Sequence, residues 1–218
     1  MNKLISILLL VCLAWLPLHA DAIIVGYGNT PAGGGSIFDG MTNTINDNFN
    51  RASIGANWTN TGIGYSDLTI IANTYVQSGE GVYEGMNWAA SIGNDQYAKV
   101  DITDISTNLQ QIYLMVRSSE TVLTSYYASI TAPNGVYTLV MQKWVSGTST
   151  ELARTTVGTK PVSMRFGVKG TSLELQTYNG STWTTVLTAT DSSIASGHVG
   201  LSVQETGTTA DNFEAGTL

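Results

Sequence analysis

Apolar and polar residues alternate along most of this chain from about residue 47 onward. The apolar Ala98, Val100 and Ile102 alternate with Tyr97 and Lys99. Side chains of an extended strand point to opposite faces in turn, so a period of two is typical of half-buried β-strands. We expect the first three residues to face a core and the other two to face outward.

The same period recurs in a series of short segments separated by turn residues. Asn179-Gly180 is a strong hairpin signal. No segment after the N-terminal apolar run has a convincing helical stripe. Many strands at a spacing of about 10 residues predict an all-β, two-sheet antiparallel jelly-roll sandwich. The other predicted strands are 68–71, 74–77, 112–117, 126–131, 136–145, 149–154, 162–168, 173–178, 183–189, 198–203 and 211–215.

The first 46 residues have a different pattern. Residues 1–22 combine Lys3, a short apolar run and an Ala-x-Ala ending, which predicts a secretory signal peptide. Residues 23–46 are rich in Gly and Asn, and we expect a flexible lead-in. The sandwich domain is then predicted to cover residues 47–218. The expected location is extracellular or on the cell surface, with the periplasm as an alternative.

Charge and composition exclude several classes of partner. The 218 residues include 9 Lys and Arg against 16 Asp and Glu, a formal net charge of −7. Nucleic-acid binding needs a basic face, so we expect no such partner. No second apolar run is long enough to span a membrane, so we expect no membrane insertion after cleavage. The one cysteine, Cys12, lies in the predicted signal peptide, which leaves no disulfide or thiolate chemistry for the mature chain.

Several segments resemble a known family. DNFNRA at 47–52 and IGANW at 54–58 are similar to the start of secreted and phage-associated concanavalin A-like lectin/glucanase (LamG-like) domains. The similarity continues through 94–98, 115–117, 126–128, 196–201 and 211–214. This resemblance implies a concanavalin A-like jelly roll and a carbohydrate-binding or surface-attachment role, with an extracellular glycan or polysaccharide as the partner. Lectins and hydrolases share this fold, so the resemblance leaves the activity open.

Catalytic motifs are absent from the sequence. Glucanases of the resembling fold have a Glu-x-Asp-x-x-Glu pattern, because retaining hydrolysis needs two carboxyl groups about 5 Å apart. The nearest pairs are Glu80 with Glu84 and Asp101 with Asp104, and we interpret all four as solvated carboxylates. His198 begins a predicted strand without a nucleophile-elbow motif before it. We therefore assign no catalytic residue, and a polysaccharide hydrolase or lyase remains the alternative.

Outward-facing aromatic residues carry the binding hypothesis. Sugars stack their C–H faces on aromatic rings and pair their hydroxyls with planar polar groups. The alternative is that these side chains pack under a loop. Trp58 and Trp183 are assigned to core or sheet-edge packing. The candidate ligand-binding residues are Tyr113, Arg117, Tyr127, Trp88 and Trp144.

Two further expectations concern metals and partners. The resemblance implies that Ca²⁺ could join the first and last strands, and Asp47 and Asp211 are the candidate ligands. Strand-end capping by these two acids is the alternative. Binding of a glycan would require no other cofactor. A third functional class is a structural or adhesive subunit that self-associates through its sheet edges or its Gly-rich lead-in.

Overall fold

The computed structural model describes residues 35–60, 65–72, 74–77, 83–106 and 110–218. Within those residues there are fifteen strands, one 3₁₀ turn at Pro133–Gly135 and no α-helix. No helix of the described part is long and apolar enough to cross a membrane. The strands are β1 Thr42–Asp47, β2 Trp58–Asn60, β3 Thr69–Ile71, β4 Tyr75–Gln77, β5 Tyr83–Trp88, β6 Gln96–Asp104, β7 Gln111–Ser118, β8 Ser125–Thr131, β9 Tyr137–Val145, β10 Thr148–Val157, β11 Ser163–Lys169, β12 Ser172–Tyr178, β13 Trp183–Thr190, β14 His198–Gln204 and β15 Thr209–Thr217.

The strands form two antiparallel sheets that pack face to face. The eight-stranded sheet has the order β13-β12-β11-β6-β15-β4-β3, with β1 also paired to β15. The seven-stranded sheet has the order β10-β9-β8-β7-β14-β5-β2. The inner faces meet in one hydrophobic core, which includes Leu114, Phe166 and Phe213. This arrangement confirms the predicted two-sheet jelly-roll sandwich.

Register follows from the alternation in the sequence. In the seven-stranded sheet Leu114 lies opposite Ala128, and both are buried in the core. The next pair, Tyr113 and Ser129, is on the outer face, which is the face turned away from the core. A shift of one residue would exchange these faces, so the apolar positions fix the register.

The lead-in predicted for 23–46 is too long at its C-terminal end. Strand β1 pairs with β15 from Thr42 to Asp47, and Ile45 is buried in the core. Phe38 packs on the outer face of the eight-stranded sheet and is 4% exposed. Pairing with β15 satisfies backbone groups that would otherwise form an open edge, and this explains why a segment without alternation becomes a strand. Residues 23–34 and the predicted signal peptide lie outside the described residues.

Strand β5 also corrects an interpretation of carboxylates. The sequence YEGMNW at 83–88 does not alternate, and the pattern therefore failed to predict it. Glu84 is not a solvated loop residue, since it is 6% exposed and accepts a hydrogen bond of 2.8 Å from the backbone N–H of Thr69. Glu80 lies outside the described residues. Burial with a hydrogen-bond donor gives Glu84 a structural role.

Candidate functional site

Three of the predicted binding residues lie in a line on the outer face of the seven-stranded sheet. Tyr113 of β7, Tyr127 of β8 and Trp144 of β9 form what we call the aromatic row. The ring centroids of Tyr113 and Tyr127 are 6.2 Å apart, and those of Tyr127 and Trp144 are 6.4 Å apart. Both contacts are edge to face, a favourable geometry for aromatic rings. The row therefore crosses three neighbouring strands.

Members of the row differ in exposure. Tyr127 is 3% exposed, and burial, followed by the nearby Tyr65, raises the pKa of its hydroxyl far above the ordinary value. Tyr113 and Trp144 are half-buried, and the Tyr113 hydroxyl donates to the side chain of Gln111. Tyr127 thus acts as a fixed support between two rings that present surface to solvent.

Polar groups without partners lie beside the row. Three buried polar residues lie on the same outer face, namely Asn87 of β5 and Ser202 and Gln204 of β14. The pairing of β14 with β5 and with β7 places them there. Among the described residues, the Asn87 Oδ1, Ser202 Oγ and Gln204 Oε1 atoms have no hydrogen-bond partner. An unpaired buried polar atom costs about 1–3 kcal/mol, so native proteins seldom keep three together without a water or ligand.

Sequence reasoning did not find these three residues. Their outward direction follows from alternation, but alternation does not predict burial on that face. At Ser202, Tyr65 lies close by, since its ring is beside Gly85. Tyr65 is distant from β14 in sequence, and no local pattern predicts this contact.

Arg117 does not belong to the exposed platform. Its backbone is left-handed, with φ of 50°, and its side chain is 4% exposed. The guanidinium donates to the carbonyl oxygens of Ile194 at 2.7 Å and of Asn94 and Gly170 at 2.9 Å. These three hydrogen bonds fix the direction of the Arg117 side chain. The prediction that Arg117 is an exposed ligand-binding residue is therefore wrong, because the side chain is buried against loops.

Trp88 is also separate from the aromatic row. It lies opposite Trp58 in the β2–β5 pair, and the two ring centroids are 5.4 Å apart. Directly opposite residues share a face, and Trp58 is in the core, so Trp88 is on the inner side of the sheet. It lines a cavity of about 460 Å³ together with Arg51 and Asn57. The predicted extension of the platform by Trp88 is therefore wrong.

The predicted calcium ligands are held by other groups. Asp47 ends β1, and its Oδ2 atom accepts hydrogen bonds of 2.7 Å from both Arg51 and the Trp58 indole. Burial raises the pKa of Asp47, but bonds from Arg51, Trp58 and the Phe49 N–H outweigh it and leave the pKa below its ordinary value. A calcium ion at Asp47 would therefore have to displace the Arg51 guanidinium.

Asp211 gives no second support for the ion. Burial, followed by the charges of Asp101 and Asp47, raises its pKa, although the Asn212 N–H opposes this. The described part of the chain contains no group of three or more His, Cys, Asp or Glu that could hold a metal. Calcium takes six to eight oxygen ligands, and its binding at Asp47 and Asp211 stays a prediction.

His198, the one histidine of the predicted mature chain, begins β14 as expected. Its Nδ1 atom is 3.0 Å from the Trp88 carbonyl oxygen. Its Nε2 atom is 3.9 Å from Glu120, whose Oε1 accepts a hydrogen bond of 2.7 Å from Thr59. These contacts tie the start of β14 to β2 and β5, and they give His198 a positioning role between strands.

Comparison with known proteins shows the fold. No family model and no curated protein matches this sequence. Among solved structures, the carbohydrate-binding module CBM66 from Bacillus subtilis has a TM-score of 0.53 at 22% identity, over 72% of this chain and 91% of that one. A Bacillus licheniformis beta-glucanase has a TM-score of 0.52 at 10% identity, over 80% and 97% of the chains. The CBM2 module of the Lactobacillus casei BL23 phage J-1 evolved Dit has a TM-score of 0.53 at 10% identity, over 80% and 95%.

These similarities are confined to architecture. The chain has a concanavalin A-like jelly-roll fold, which carbohydrate-binding modules and glycoside hydrolases also have. That confirms the fold which the segments at 47–58 and 196–214 implied. Because one fold supports many activities, function has to be argued from the residues of the site.

Proposed function

We propose that this protein is an exported, non-catalytic carbohydrate-binding module that contacts glycan through the aromatic row. The observation that carries the proposal is the juxtaposition of two half-exposed rings, Tyr113 and Trp144, with a polar outer face. Rings supply the stacking surface and neighbouring amides and hydroxyls supply hydrogen bonds, which is the combination that sugar recognition requires. Export is inferred from the signal-peptide pattern of residues 1–22.

Two features support this proposal over other uses of the surface. The oxygens of Asn87, Ser202 and Gln204 are buried on the same face as the row and have no hydrogen-bond partner among the described residues. Two of the similar folds belong to proteins whose descriptions name carbohydrate-binding or CBM modules. A neutral or weakly polar glycan suits a face whose binding groups are rings, amides and hydroxyls.

Affinity electrophoresis of the chain from Ile23 onward tests the proposal. The gels would contain xyloglucan, mixed-linkage β-glucan, levan or polygalacturonate, each with calcium and with EDTA. We expect retardation by at least one neutral polysaccharide, independent of calcium. Trp144→Ala should weaken that binding about tenfold, because it removes a stacking ring. The matched control is Val145→Ala, since Val145 is exposed on the same strand and points to the opposite side.

The same samples distinguish the other functional classes. Release of reducing ends or unsaturated uronates would indicate a hydrolase or a lyase. A concentration-dependent oligomer that ignores all four polysaccharides would indicate a structural or adhesive subunit. Retardation that persists unchanged in Trp144→Ala would contradict the assignment to the aromatic row.

A further inference from the structure

A second cavity lies on the opposite side of the sandwich, on the outer face of the eight-stranded sheet. Its volume is about 390 Å³, within the range of small-ligand sites. We call it the polar groove. The aromatic row belongs to the outer face of the other sheet, so the two surfaces are separated by the whole core. Its lining includes Tyr97, Lys99, Asp101, Arg165, Trp183 and Glu214.

Charged side chains in the groove are fixed by mutual contacts. Lys99 Nζ lies 2.8 Å from Glu214 Oε1 and 3.3 Å from Asp101 Oδ1. Ser163 donates to Asp101 Oδ1 at 2.6 Å, and Asn212 donates to Asp101 Oδ2 at 3.0 Å. The carboxylates are therefore oriented before any ligand arrives. Such preorganisation lowers the entropy cost of binding.

One side of the groove is aromatic. The Tyr178 and Trp183 rings have centroids 5.1 Å apart and tilt by 33°. The Arg165 guanidinium lies 4.3 Å from the Trp183 ring and 4.4 Å from the Phe38 ring. Arg165 also donates to Gln176 Oε1 at 2.8 Å. These contacts hold Trp183 in place while it remains half-exposed.

A buried hydroxyl without a partner points to a ligand. Tyr97 lines the groove but is only 1% exposed, and its Oη atom has no hydrogen-bond partner in the part of the chain that the structure describes. Burial, and then the charge of Glu214, raises the pKa of this hydroxyl, so it stays protonated and able to donate. Its ring is fixed edge to face against Phe38, at a centroid distance of 6.1 Å. A rigid, unused donor in a cavity is a feature of a binding site.

We propose that the polar groove is a second saccharide site that takes a neutral sugar unit. Vicinal hydroxyls would pair with Asp101, Lys99 and Glu214, and an apolar sugar face would pack on Trp183. Asp101 and Glu214 balance the charges of Lys99 and Arg165, so an anionic sugar gains no net attraction here. The choice of a sugar as the ligand rests on the proposed function. The groove adds a second binding surface, separate from the aromatic row. The protein would then bind glycan on both sides and link two chains.

The experiment is titration of the mature chain with neutral oligosaccharides cut from xyloglucan, mixed-linkage β-glucan and levan. Calorimetry gives the stoichiometry, and NMR of the tryptophan indole N–H groups shows which face is occupied. We expect two sites, with perturbation of both Trp183 and Trp144. Trp183→Ala should weaken the groove site about tenfold and leave the other site unchanged.

Tyr97→Phe is the second variant, because it removes only the unpaired hydroxyl. We expect it to keep or increase the stability to urea and to weaken the groove site about three- to tenfold, the value of one hydrogen bond. Trp144→Ala is the matched control and should weaken only the site at the aromatic row, again about tenfold. Urea denaturation of all three variants checks that each one remains folded.

The outcomes separate the two proposals. A single site that weakens about tenfold in Trp144→Ala alone would overturn the groove and keep the aromatic row. A single site that weakens in both Trp183→Ala and Tyr97→Phe, and not in Trp144→Ala, would support the groove and remove the row. Absence of binding to all three oligosaccharide sets would overturn both.

Discussion

Arg117 shows how one residue joins separate loops. Its guanidinium donates to carbonyl groups of Asn94, Gly170 and Ile194, and these residues come from three parts of the chain. Loss of the side chain would leave the buried Ile194 carbonyl without this donor, at a cost of about 1–3 kcal/mol, and would break the two part-buried bonds to Asn94 and Gly170. Arg117 is therefore a structural residue of the sandwich.

We predict that Arg117→Ala lowers the free energy of unfolding by about 3 kcal/mol, as measured by urea denaturation. Arg154→Ala is the matched control. Arg154 is exposed and pairs with exposed Glu151, so its loss should cost less than about 0.5 kcal/mol. Equal effects of the two substitutions would contradict the structural role of Arg117.

Asp191 provides a test of pH dependence. Burial raises its pKa, but bonds from Lys143, the Ser193 N–H and Tyr126 outweigh burial and hold the pKa well below its ordinary value. A carboxyl whose pKa is lower in the folded state stabilises the fold above the unfolded pKa of about 4. This stability is lost as the pH falls below about 5.

We predict that the wild-type protein loses stability as the pH falls from about 5 to about 2 and that Asp191→Asn shows a shallower loss. At pH 7 the variant should be less stable by about 1–2 kcal/mol. Urea midpoints at a series of pH values measure both effects. Parallel pH curves for the two proteins would contradict the role of Asp191.

At the scale of elements, alternation predicts strands and faces but not the cover on an outer face. Ala98, Val100 and Ile102 are in the core as expected, and Lys99 lines an outer cavity. Tyr97 also points outward, yet it is buried, because Phe38 packs against it. The contact joins residues that no short periodic pattern connects.

The candidate binding residues also follow the sequence pattern only in part. The sequence predicts that Tyr113, Tyr127 and Trp144 face outward together. They do form a row, because the pairing register of β7, β8 and β9 keeps their outward-facing residues side by side. Arg117 has the same position in the alternation, but its backbone is left-handed, with φ of 50°, and its side chain turns away from the outer face. Tertiary contacts impose this left-handed conformation, and the residue type does not predict it, because residues other than glycine rarely adopt a positive φ.

Strand β1 depends on a close approach to β15. A Cβ atom at Gly216 would collide with the Thr42 carbonyl and would also lie 3.0 Å from the Asn43 Cα atom. Only glycine allows the two backbones to pair there. Pairing of β1 brings Ile45 into the core and positions the segment before it, which includes Phe38, on the eight-stranded sheet.

We predict that Gly216→Ala separates β1 from the sheet and lowers the free energy of unfolding by about 2–4 kcal/mol. Hydrogen exchange of the β1 amides should become fast while exchange in β8 stays slow. Gly158→Ala is the control, because an added Cβ there meets nothing within 4 Å. Retained protection of β1 in Gly216→Ala would contradict this account.

At the scale of the whole molecule, charge restricts which glycans can bind. The formal net charge is −7, and only 9 of the 218 residues are Lys or Arg. A polyanion approaching either outer face meets net repulsion, which salt screens over a Debye length of about 10 Å at 0.1 M. A neutral glycan meets no such barrier, since its binding depends on stacking and hydrogen bonds.

We predict that affinity for the neutral polysaccharide changes less than about twofold between about 0.02 M and about 0.5 M NaCl. Polygalacturonate should bind weakly at low salt and no better than the neutral polysaccharide at high salt, because its charge is repelled and then screened. Affinity electrophoresis at both salt concentrations measures this directly. Tight binding of polygalacturonate at low salt that weakens as salt is added would show that local cations such as Lys99 or Arg165 dominate the recognition, and it would contradict a neutral ligand.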